Sequence, residues 1–370
     1  MDVPVANVVV VPGTENDVVE TVKFANGHSL PFLATNGVHG SISTLGKMTL
    51  IAKNGTTATI GGGIRSRNLT DALWAAGKQT VTGTCECVGY LALGGGHGWL
   101  QGHHGLVSDQ FVSMKVVLAN GSLITVDEKS DLFWAMKGAG HNFGIVTSVT
   151  SKIYDIQQPN YAIETLIFKG VTVDAAHTAP FKKIGPIATQ ALNGTYLDLA
   201  KWTGISLADV PCQKTGNANP RFPIYLKLYN ATAQKPVYDL FRQATTNAST
   251  PFSNSLFMFE GYSQGGVKAI SDDATAFAYR ADNLLVAPLL TYTPNGTALD
   301  AFASKLGNQM RNILYEGSGE TSLNTYVNYA YGDETPVAWY GSESWRQERL
   351  HALKEDFDSK GQFSFYAPIA

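Results

Sequence analysis

The stretch that decides the fold runs from Gly83 to Gly98 and has the sequence Gly-Thr-Cys-Glu-Cys-Val-Gly-Tyr-Leu-Ala-Leu-Gly-Gly-Gly-His-Gly. Its last five residues, Gly94 to Gly98, contain four glycines. Each glycine inside a helix or strand costs about 0.5–1 kcal/mol relative to alanine, so both elements are disfavoured here. We expect a backbone that approaches another group closely or adopts positive φ, as phosphate-binding loops do, with a plain tight turn as the alternative.

Further glycine clusters surround this stretch, at Gly37–Gly40, Gly61–Gly63 and Gly138–Gly140. The first part of the chain therefore requires many close backbone approaches. Because no Gly-x-x-x-x-Gly-Lys-Ser/Thr occurs, a P-loop nucleotidase is excluded. No Gly-x-Gly-x-x-Gly opens a helix after the first strand, which disfavours a Rossmann dinucleotide site.

Hydrophobic periodicity predicts a βαβ-like unit at the N-terminus. Its parts are a strand over Ala6–Val11, a helix over Glu15–Asn26 and a short strand over Pro31–Ala34. The loop that follows, Thr35 to Gly40, lies where such folds place ligands. This loop is the first functional candidate.

Two hairpins are predicted by Asn-Gly pairs between apolar runs. The first spans Leu50–Ile60 and turns at Asn54-Gly55, and the second spans Phe111–Val126 and turns at Asn120-Gly121. Between them, an apolar stripe predicts a helix that ends before Gly77.

Changes in residue pattern along the sequence predict domains at 1–154 and 155–317 and a C-terminal segment at 318–370. Glycine loops become rarer after Tyr154, and longer strands are predicted at Ile163–Val171, Phe222–Tyr229 and Leu284–Thr293. The last segment predicts an aromatic strand over Thr325–Tyr331 and then a helix that ends before Gly361.

Composition limits the classes of function. The chain has 370 residues, of which 44% are hydrophobic and 15% charged, so disorder is excluded. A net charge of −3 without basic blocks argues against nucleic-acid binding. The apolar runs are shorter than the roughly 18 residues that span a bilayer, so we expect a soluble chain with no membrane partner.

Seven Asn-x-Ser/Thr acceptors suggest passage through the secretory pathway, with chance occurrence as the even alternative. The chain as written encodes no signal peptide. Its three cysteines do not make a disulfide framework. Cys85 and Cys87 are too close for an ordinary bridge and lack the second pair of a zinc site, and His103-His104 has no partner ligands, so no metal site is predicted.

The ordered motifs closely resemble the berberine-bridge-enzyme-like flavoproteins of the vanillyl-alcohol-oxidase superfamily. The matching segments cover nearly the whole chain: Asn36–Gly40, Gly83–Gly89, Gly94–Gly98, Gly105–Asp109, Asp131–Ala135, Gly138–Val146, Tyr326–Tyr329 and Arg349–Asp358. The resemblance implies an α+β fold, in which a discontinuous PCMH-type FAD-binding domain is combined with an α+β substrate domain that carries an antiparallel sheet.

The resemblance also implies FAD held bicovalently, through His39 and Cys85. Imidazole and thiolate are good nucleophiles toward the electron-poor edge of a flavin, whereas Cys87 is expected to be structural. A thiol with a pKa near 8.5 is only a few per cent ionised at pH 7, so Cys85 needs positive potential or N–H donors. The other residues implied in cofactor binding are Asn36, Gly37, Val38, Gly40, Gly83, Thr84, Val88, Gly89, Gly94, Gly95, Gly96, Gly98, Gly105, Asp109, Gly140, Asn142, Gly144, Ile145 and Val146.

For catalysis, the resemblance places substrate over the flavin, framed by Tyr326, Asn328 and Tyr329. Tyr329 or Tyr326 is the expected base, which requires a neighbour or the flavin to lower a phenol pKa of about 10. Core packing of these aromatic rings is a nearly equal alternative. Gln264 and Tyr279-Arg280 are weaker candidates for lining the pocket.

The expected function is a secreted, FAD-dependent oxidase that passes hydride from a small-molecule alcohol, amine or sugar to flavin N5 and on to dioxygen, giving hydrogen peroxide. Two alternatives stay open: a flavin dehydrogenase, and a truncated or non-catalytic secreted glycoprotein that binds no flavin. The latter is suggested by the short connection from His39 to Gly61, as though one strand were missing, and by Thr35 and Lys137 where arginines are common. The sequence does not indicate the substrate or the oligomeric state.

Overall fold

A computed structural model describes residues 7–34, 49–168, 185–213, 215–247 and 249–369. The fold is α+β, and every strand pairing in these ranges is antiparallel. In chain order, the strands are β1 Thr49–Ile51, β2 Thr57–Gly61, β3 Lys78–Gln79, β4 Phe111–Val117, β5 Leu123–Asp127, β6 Ile145–Lys152, β7 Tyr154–Asp155, β8 Tyr161–Ile167, β9 Ala188–Gly194, β10 Ile224–Leu226, β11 Leu256–Glu260 and β12 Leu284–Leu289.

The largest sheet has five strands in the order β1-β2-β6-β4-β5. Both predicted hairpins belong to it and are confirmed. The turns place Gly55 at φ +67° and Gly121 at φ +81°, which are left-handed conformations that glycine adopts without a steric penalty. A second sheet has the order β10-β12-β11, and β3-β7 and β8-β9 form two-stranded sheets.

Helices cover the faces and edges of these sheets. Their bounds are Glu15–Gly27, Ser66–Ala75, Gln101–His104, Asp131–Met136, Leu199–Trp202, Ala231–Thr245, Gly265–Lys268, Thr297–Ser318, Pro336–Tyr340 and Ser344–Asp358. The predicted N-terminal helix is confirmed, and a capping box between Thr14 and Asp17 fixes its start. The helices predicted before Gly77 and before Gly361 are also confirmed.

One apolar core joins the first part of the chain to the C-terminal segment. Ile60, Met114 and Val149 of the five-stranded sheet lie in the same buried cluster as Val327 and Leu350. A second cluster lies between the three-stranded sheet and the helix Thr297–Ser318. The domain bounds at 154 and 317 stay a prediction.

A buried ion pair connects the two parts of the molecule. The guanidinium of Arg280 donates to both carboxylate oxygens of Asp109, over 3.0 and 2.7 Å, and also to the Thr275 hydroxyl. Both charged side chains are almost completely buried. Removal of one partner from such a pair leaves an uncompensated buried charge, so this contact fixes the position of Arg280.

Three predicted strands are wrong. Residues 7–12 are irregular, with Val9 77% exposed, and residues 31–34 are irregular as well, so the βαβ-like unit does not form within the described residues. A β-branched run needs a neighbouring strand to form a ladder, and none pairs with these runs in the described ranges. The predicted strand Thr325–Tyr331 contains instead a 3-10 turn over Val327–Tyr329.

The strands predicted in the second part of the chain are present but shorter. Leu284–Thr293 corresponds to β12, and Phe222–Tyr229 corresponds to the three-residue strand β10. The strand predicted over Ile163–Val171 corresponds to β8, and its last residues lie outside the described residues. Among the residues that are described, no helix has the length and apolar character that crossing a bilayer demands.

Candidate functional site

The predicted histidine loop, Asn36 to Gly40 with Val38 and His39, lies outside the described residues. Attachment of a cofactor to His39 therefore stays a prediction. The described part of the site consists of the cysteine segment, the glycine loop and the aromatic residues around them.

The loop Gly94–Gly98 forms no regular element, as predicted, and its close neighbours are protein atoms. A Cβ on Gly94 would lie 2.4 Å from Oδ1 of Asn328, and one on Gly98 would lie 2.1 Å from the carbonyl oxygen of Thr82. The glycines therefore allow the C-terminal segment to lie directly against this loop. The structure thereby brings a predicted cofactor loop and a predicted catalytic residue together.

Two other predicted cofactor residues have structural contacts. Asp109 holds Arg280, as described above. Asn142 is buried, donates to the hydroxyl of Tyr340 and to the carbonyl of Ala367, and accepts from the N–H of Ile369. These contacts anchor the C-terminal segment, and any contact of these residues with FAD stays a prediction.

The remaining predicted cofactor residues lie in four places. Gly83, Thr84, Val88 and Gly89 flank the cysteines, Gly95 and Gly96 precede His97, and Gly105 follows the helix Gln101–His104. Gly140 and Gly144 precede β6, which contains Ile145 and Val146.

The predicted catalytic residues form a contact cluster. The Asn328 side-chain amide donates to the Tyr326 hydroxyl over 2.8 Å, and the rings of Tyr326 and Tyr329 are 5.0 Å apart. Burial raises the pKa of Tyr326 to about 12, although hydrogen bonds from Asn328 and from backbone N–H groups act in the opposite direction. The neighbours present do not lower the pKa of this phenol overall, and the pKa of Tyr329 is raised too, so the help of the flavin that was the other expectation stays a prediction.

His97, which the sequence analysis did not single out, lies at the centre of the aromatic residues. Its Nδ1 donates to Oε1 of Gln101 over 2.8 Å, so its Nε2 accepts from the Tyr225 hydroxyl over 2.7 Å. Its ring is stacked parallel to that of Tyr262 at 5.4 Å. Burial lowers the pKa of His97 to about 4, which keeps the ring neutral.

Glu260 is the carboxylate of this cluster, and it also was not predicted. It lies at the end of β11, and its Oε2 accepts from the hydroxyls of Tyr262 at 2.7 Å and Tyr329 at 3.4 Å. Burial raises the pKa of Glu260, whereas the hydrogen bond from Tyr262 and the charge of Arg221 lower it. Its Oε1 is buried and has no hydrogen-bond partner among the described residues. A proton acceptor with a raised pKa and a free oxygen can act as a general base.

The sequence contains little that points to Glu260. An acidic residue at the end of an apolar run is the one local signal, and this pattern is common at strand ends. The Glu260 side chain becomes notable only because folding places two tyrosines and Arg221 around it.

The cysteines differ from the expectation that they form no disulfide framework. Cys87 is paired with Cys212, across 125 residues, so the structural role expected for Cys87 is confirmed, and one bridge forms that the sequence did not predict. The sequence did not indicate Cys212 as the partner of Cys87, because the folding of the chain, and not the spacing of the cysteines, brings the two together. Cys85 is free and half-buried.

The surroundings of Cys85 contain the positive charge and N–H donors that the sequence analysis required. Burial raises the pKa of the Cys85 thiol, while hydrogen bonds from the N–H groups of Cys87 and Val88 and the charge of Arg221 lower it. Burial has the largest effect, so the thiol is mostly protonated at neutral pH.

A cavity of about 20 Å³ is lined by Thr84 and Glu86, the residues on either side of Cys85. Ser66 and Gly83 also line it, and the hydroxyl of Ser66 is buried without a hydrogen-bond partner among the described residues. An orphaned buried hydroxyl indicates a place where a ligand or water completes the hydrogen bonding. The cavity itself holds about one water molecule, so the fit to FAD rests on the orphaned Ser66 hydroxyl and on the free Cys85 thiol with its N–H donors, which suit the edge of a flavin ring system.

Metal-binding side chains come together at one place in the described ranges, where ligand atoms of Cys85, Cys87 and Cys212 lie within 4.8 Å of one another. The disulfide uses two of these three sulfurs. The prediction of no metal site stays a prediction.

The FAD binding domain family matches residues 6–127. FAD-linked oxidoreductase chyH of Penicillium rubens is 51% identical over 437 residues, which cover 100% of this chain and 87% of that protein. Because the present chain has 370 residues, dozens of residues of this relative have no counterpart in it.

Solved structures share the fold at low identity. A chitooligosaccharide oxidase superposes with a TM-score of 0.76 at 20% identity, over 95% of this chain and 89% of that chain. A variant of berberine bridge enzyme, a reticuline dehydrogenase, superposes with a TM-score of 0.77 at 15% identity, over 97% of this chain and 89% of that chain. The α+β fold with a PCMH-type FAD-binding domain is thereby confirmed.

Because His97 is buried in its neutral form, the stability of the folded chain should depend on pH. Because its pKa is about 4 in the folded chain and about 6.5 when unfolded, the unfolded state takes up the proton first as pH falls. The contribution of neutral His97 to the free energy of unfolding is complete above pH 6.5 and is lost as the pH falls to 4. In urea titrations from pH 7 to 4, we expect the wild type to lose about 3 kcal/mol more unfolding free energy than His97→Gln. Equal losses in both proteins would contradict the assignment; buried His141 is present in both and cancels.

Proposed function

The chain belongs to the berberine-bridge-enzyme-like FAD-linked oxidoreductases, and on this premise we propose that it is an oxidase of a small molecule that carries a hydroxyl or amine group. One observation carries the proposal: Thr84, next to the free thiol of Cys85, is hydrogen-bonded to the Tyr262 hydroxyl over 3.5 Å, and this hydroxyl donates to Glu260 over 2.7 Å. A cofactor attachment point and a proton acceptor therefore share one site.

We assign the flavin of FAD to the surroundings of Cys85, with the thiol of Cys85 and the imidazole of His39 as its two covalent attachment points. Ser66 and Thr84 are the hydroxyl groups that would contact the ring system. When bound, FAD supplies the acceptor for a hydride and the route of electrons to dioxygen. The N–H groups of Cys87 and Val88 and the charge of Arg221 stabilise the thiolate form that attachment requires.

Glu260 is the general base of the proposed reaction. Its free Oε1 accepts the hydroxyl or amine proton of the substrate, while Tyr262 and Tyr329 hold Oε2 by hydrogen bonds. Burial raises the pKa of Glu260 toward neutral pH, and a base accepts protons most effectively when its pKa lies near the working pH. With raised pKa values, neither tyrosine acts as the base: the Tyr329 hydroxyl donates to Glu260, and the Tyr326 hydroxyl accepts from Asn328.

The aromatic side chains define the class of substrate. Tyr225, Tyr262, Tyr326 and Phe277 surround His97 with their rings between 4.9 and 6.2 Å from it. Tyr225, Tyr326 and Phe277 are buried against one another. Tyr262 is half-buried and donates to Glu260, so a ring-containing substrate would stack on Tyr262 with its polar group directed to Glu260. Alcohols, amines and sugars all satisfy this description.

Secretion is proposed on two observations. A disulfide persists in oxidising compartments and is rare in the cytosol. The acceptor asparagines of all seven glycosylation sequences are exposed: Asn54, Asn68, Asn120, Asn193, Asn230, Asn247 and Asn295. An exposed position is what a bulky glycan requires.

The reaction with dioxygen separates the oxidase from a dehydrogenase, which the fold alone does not decide. We expect that protein reduced anaerobically with dithionite is reoxidised rapidly by air-saturated buffer, with one hydrogen peroxide released per flavin. Stopped-flow absorbance and a peroxidase-coupled assay measure both quantities. Slow reoxidation by air combined with rapid reoxidation by a quinone would assign the dehydrogenase instead.

The role of Glu260 predicts a defect in turnover. Glu260→Gln keeps the size and hydrogen-bonding capacity of the side chain but removes the base, so kcat should fall by about 10²–10⁴-fold with an unchanged flavin spectrum. The substrate is any compound of an alcohol, amine and sugar panel that the wild type oxidises. Glu355→Gln, on an exposed helical position, is the matched control and should keep full activity. Equal kcat values for the two variants would exclude Glu260 as the base.

A further inference from the structure

Three cysteine sulfur atoms lie within one small volume. Cys85 Sγ is 3.4 Å from Cys87 Sγ and 3.5 Å from Cys212 Sγ, while Cys87 and Cys212 are bonded to each other. A free thiol therefore lies at van der Waals distance from both sulfurs of a disulfide. Thiol–disulfide exchange requires this proximity and an ionisable attacking thiol.

We propose that Cys85 exchanges with the Cys87–Cys212 disulfide, so that the chain has two interconverting disulfide pairings. The Cys85 thiolate attacks Sγ of Cys212. A Cys85–Cys212 bond forms, the Cys87–Cys212 bond breaks, and Cys87 leaves as a thiolate that takes up the proton released by Cys85. The exchange is redox-neutral and needs no external oxidant or reductant.

Glu86, between the two cysteines, keeps Cys212 within reach of both. Its N–H donates to the carbonyl of Ile205 over 3.1 Å, and its Oε2 accepts from the N–H of Leu207 over 2.8 Å. Arg67 holds the other carboxylate oxygen over 2.7 Å. These bonds connect the cysteine segment to the segment that carries Cys212, and none of them depends on which cysteine is bonded.

The segment of Cys212 can adjust to either pairing. Val210 is 72% exposed and Pro211 is also exposed, so few packing contacts oppose a small movement of the turn Val210–Cys212. A Cys85–Cys87 bond is disfavoured because it would close a ring across a single residue, which departs from the usual disulfide geometry. Attack on Cys212 is therefore the favoured direction. The three sulfurs form a triangle, so the turn Val210–Cys212 must first move to bring Cys85 Sγ into line with the bond that breaks.

The exchange controls which thiol is available for modification, and in this respect it rests on the proposed attachment of FAD to Cys85. In the Cys87–Cys212 pairing, Cys85 is available to the flavin; in the Cys85–Cys212 pairing, it is not. Attachment of flavin would in turn fix the first pairing, because a thioether sulfur cannot attack a disulfide. Cys212 is thus a second covalent partner that competes with the cofactor for Cys85.

Peptide mapping without reduction tests the exchange. Cleavage after Glu86 separates Cys85 from Cys87, so each linked peptide is identified by its mass. The protein is incubated at pH 8.5, quenched with N-ethylmaleimide and digested. For flavin-free wild type, we expect peptides of both pairings, with alkylated Cys87 in one and alkylated Cys85 in the other, and faster approach to a constant ratio at higher pH. Alkylation of Cys85 alone, at every time and pH, would overturn the proposal.

Two variants provide an independent measurement by counting thiols. Cys87→Ser should form a Cys85–Cys212 bond and contain no free thiol, whereas Cys212→Ser should contain two. Two free thiols in Cys87→Ser kept in air would mean that Cys85 and Cys212 do not bond to each other, which contradicts the proposal. A flavin mass on the Cys85 peptide is scored separately, so a failure of cofactor attachment is distinguished from a failure of exchange.

Discussion

The close approach between the loop Gly94–Gly98 and the C-terminal segment is the constraint on which the site depends. A side chain on Gly94 would overlap Asn328, and one on Gly98 would overlap the backbone at Thr82. Because both positions lack side chains, Tyr326 and Tyr329 can reach the aromatic residues around His97. The chain must return from beyond residue 320 to residue 94 to complete its site, which is why Val327 and Leu350 share a core with the five-stranded sheet.

The charged groups around this contact have different roles. The ion pair of Asp109 and Arg280 is buried and bidentate, and it fixes two distant parts of the chain relative to each other. Glu260 is half-buried and forms no ion pair among the described residues, and its Oε1 has no hydrogen-bond partner there. A carboxylate bonded to a guanidinium stabilises one arrangement, whereas a carboxylate without an ion pair is available for chemistry. This contrast is the reason for placing the base at Glu260.

Local signals predicted the elements that local interactions determine. Asn54-Gly55 and Asn120-Gly121 specified their hairpins because the turn itself requires positive φ. Val8 to Val11 failed as a strand since β-branched residues form a ladder only with a partner. The pairing of Cys87 with Cys212 and the environment of Glu260 depend on contacts between residues far apart in the chain, which spacing cannot indicate. The roles implied for the glycine loop and the tyrosines stay predictions, but the raised pKa of Tyr326 could not be read from the sequence, because burial raises a phenol pKa only once the chain has folded.

The central claim is that this chain carries FAD on Cys85, and the fate of the flavin on denaturation tests it most directly. The purified protein is precipitated with acid, and the visible absorbance of pellet and supernatant is compared. A covalent thioether survives this treatment, so we predict that the yellow colour stays with the pellet and that Cys85→Ala with His39→Ala releases all of it. A colourless wild-type protein, or flavin recovered entirely in the supernatant, would contradict the account.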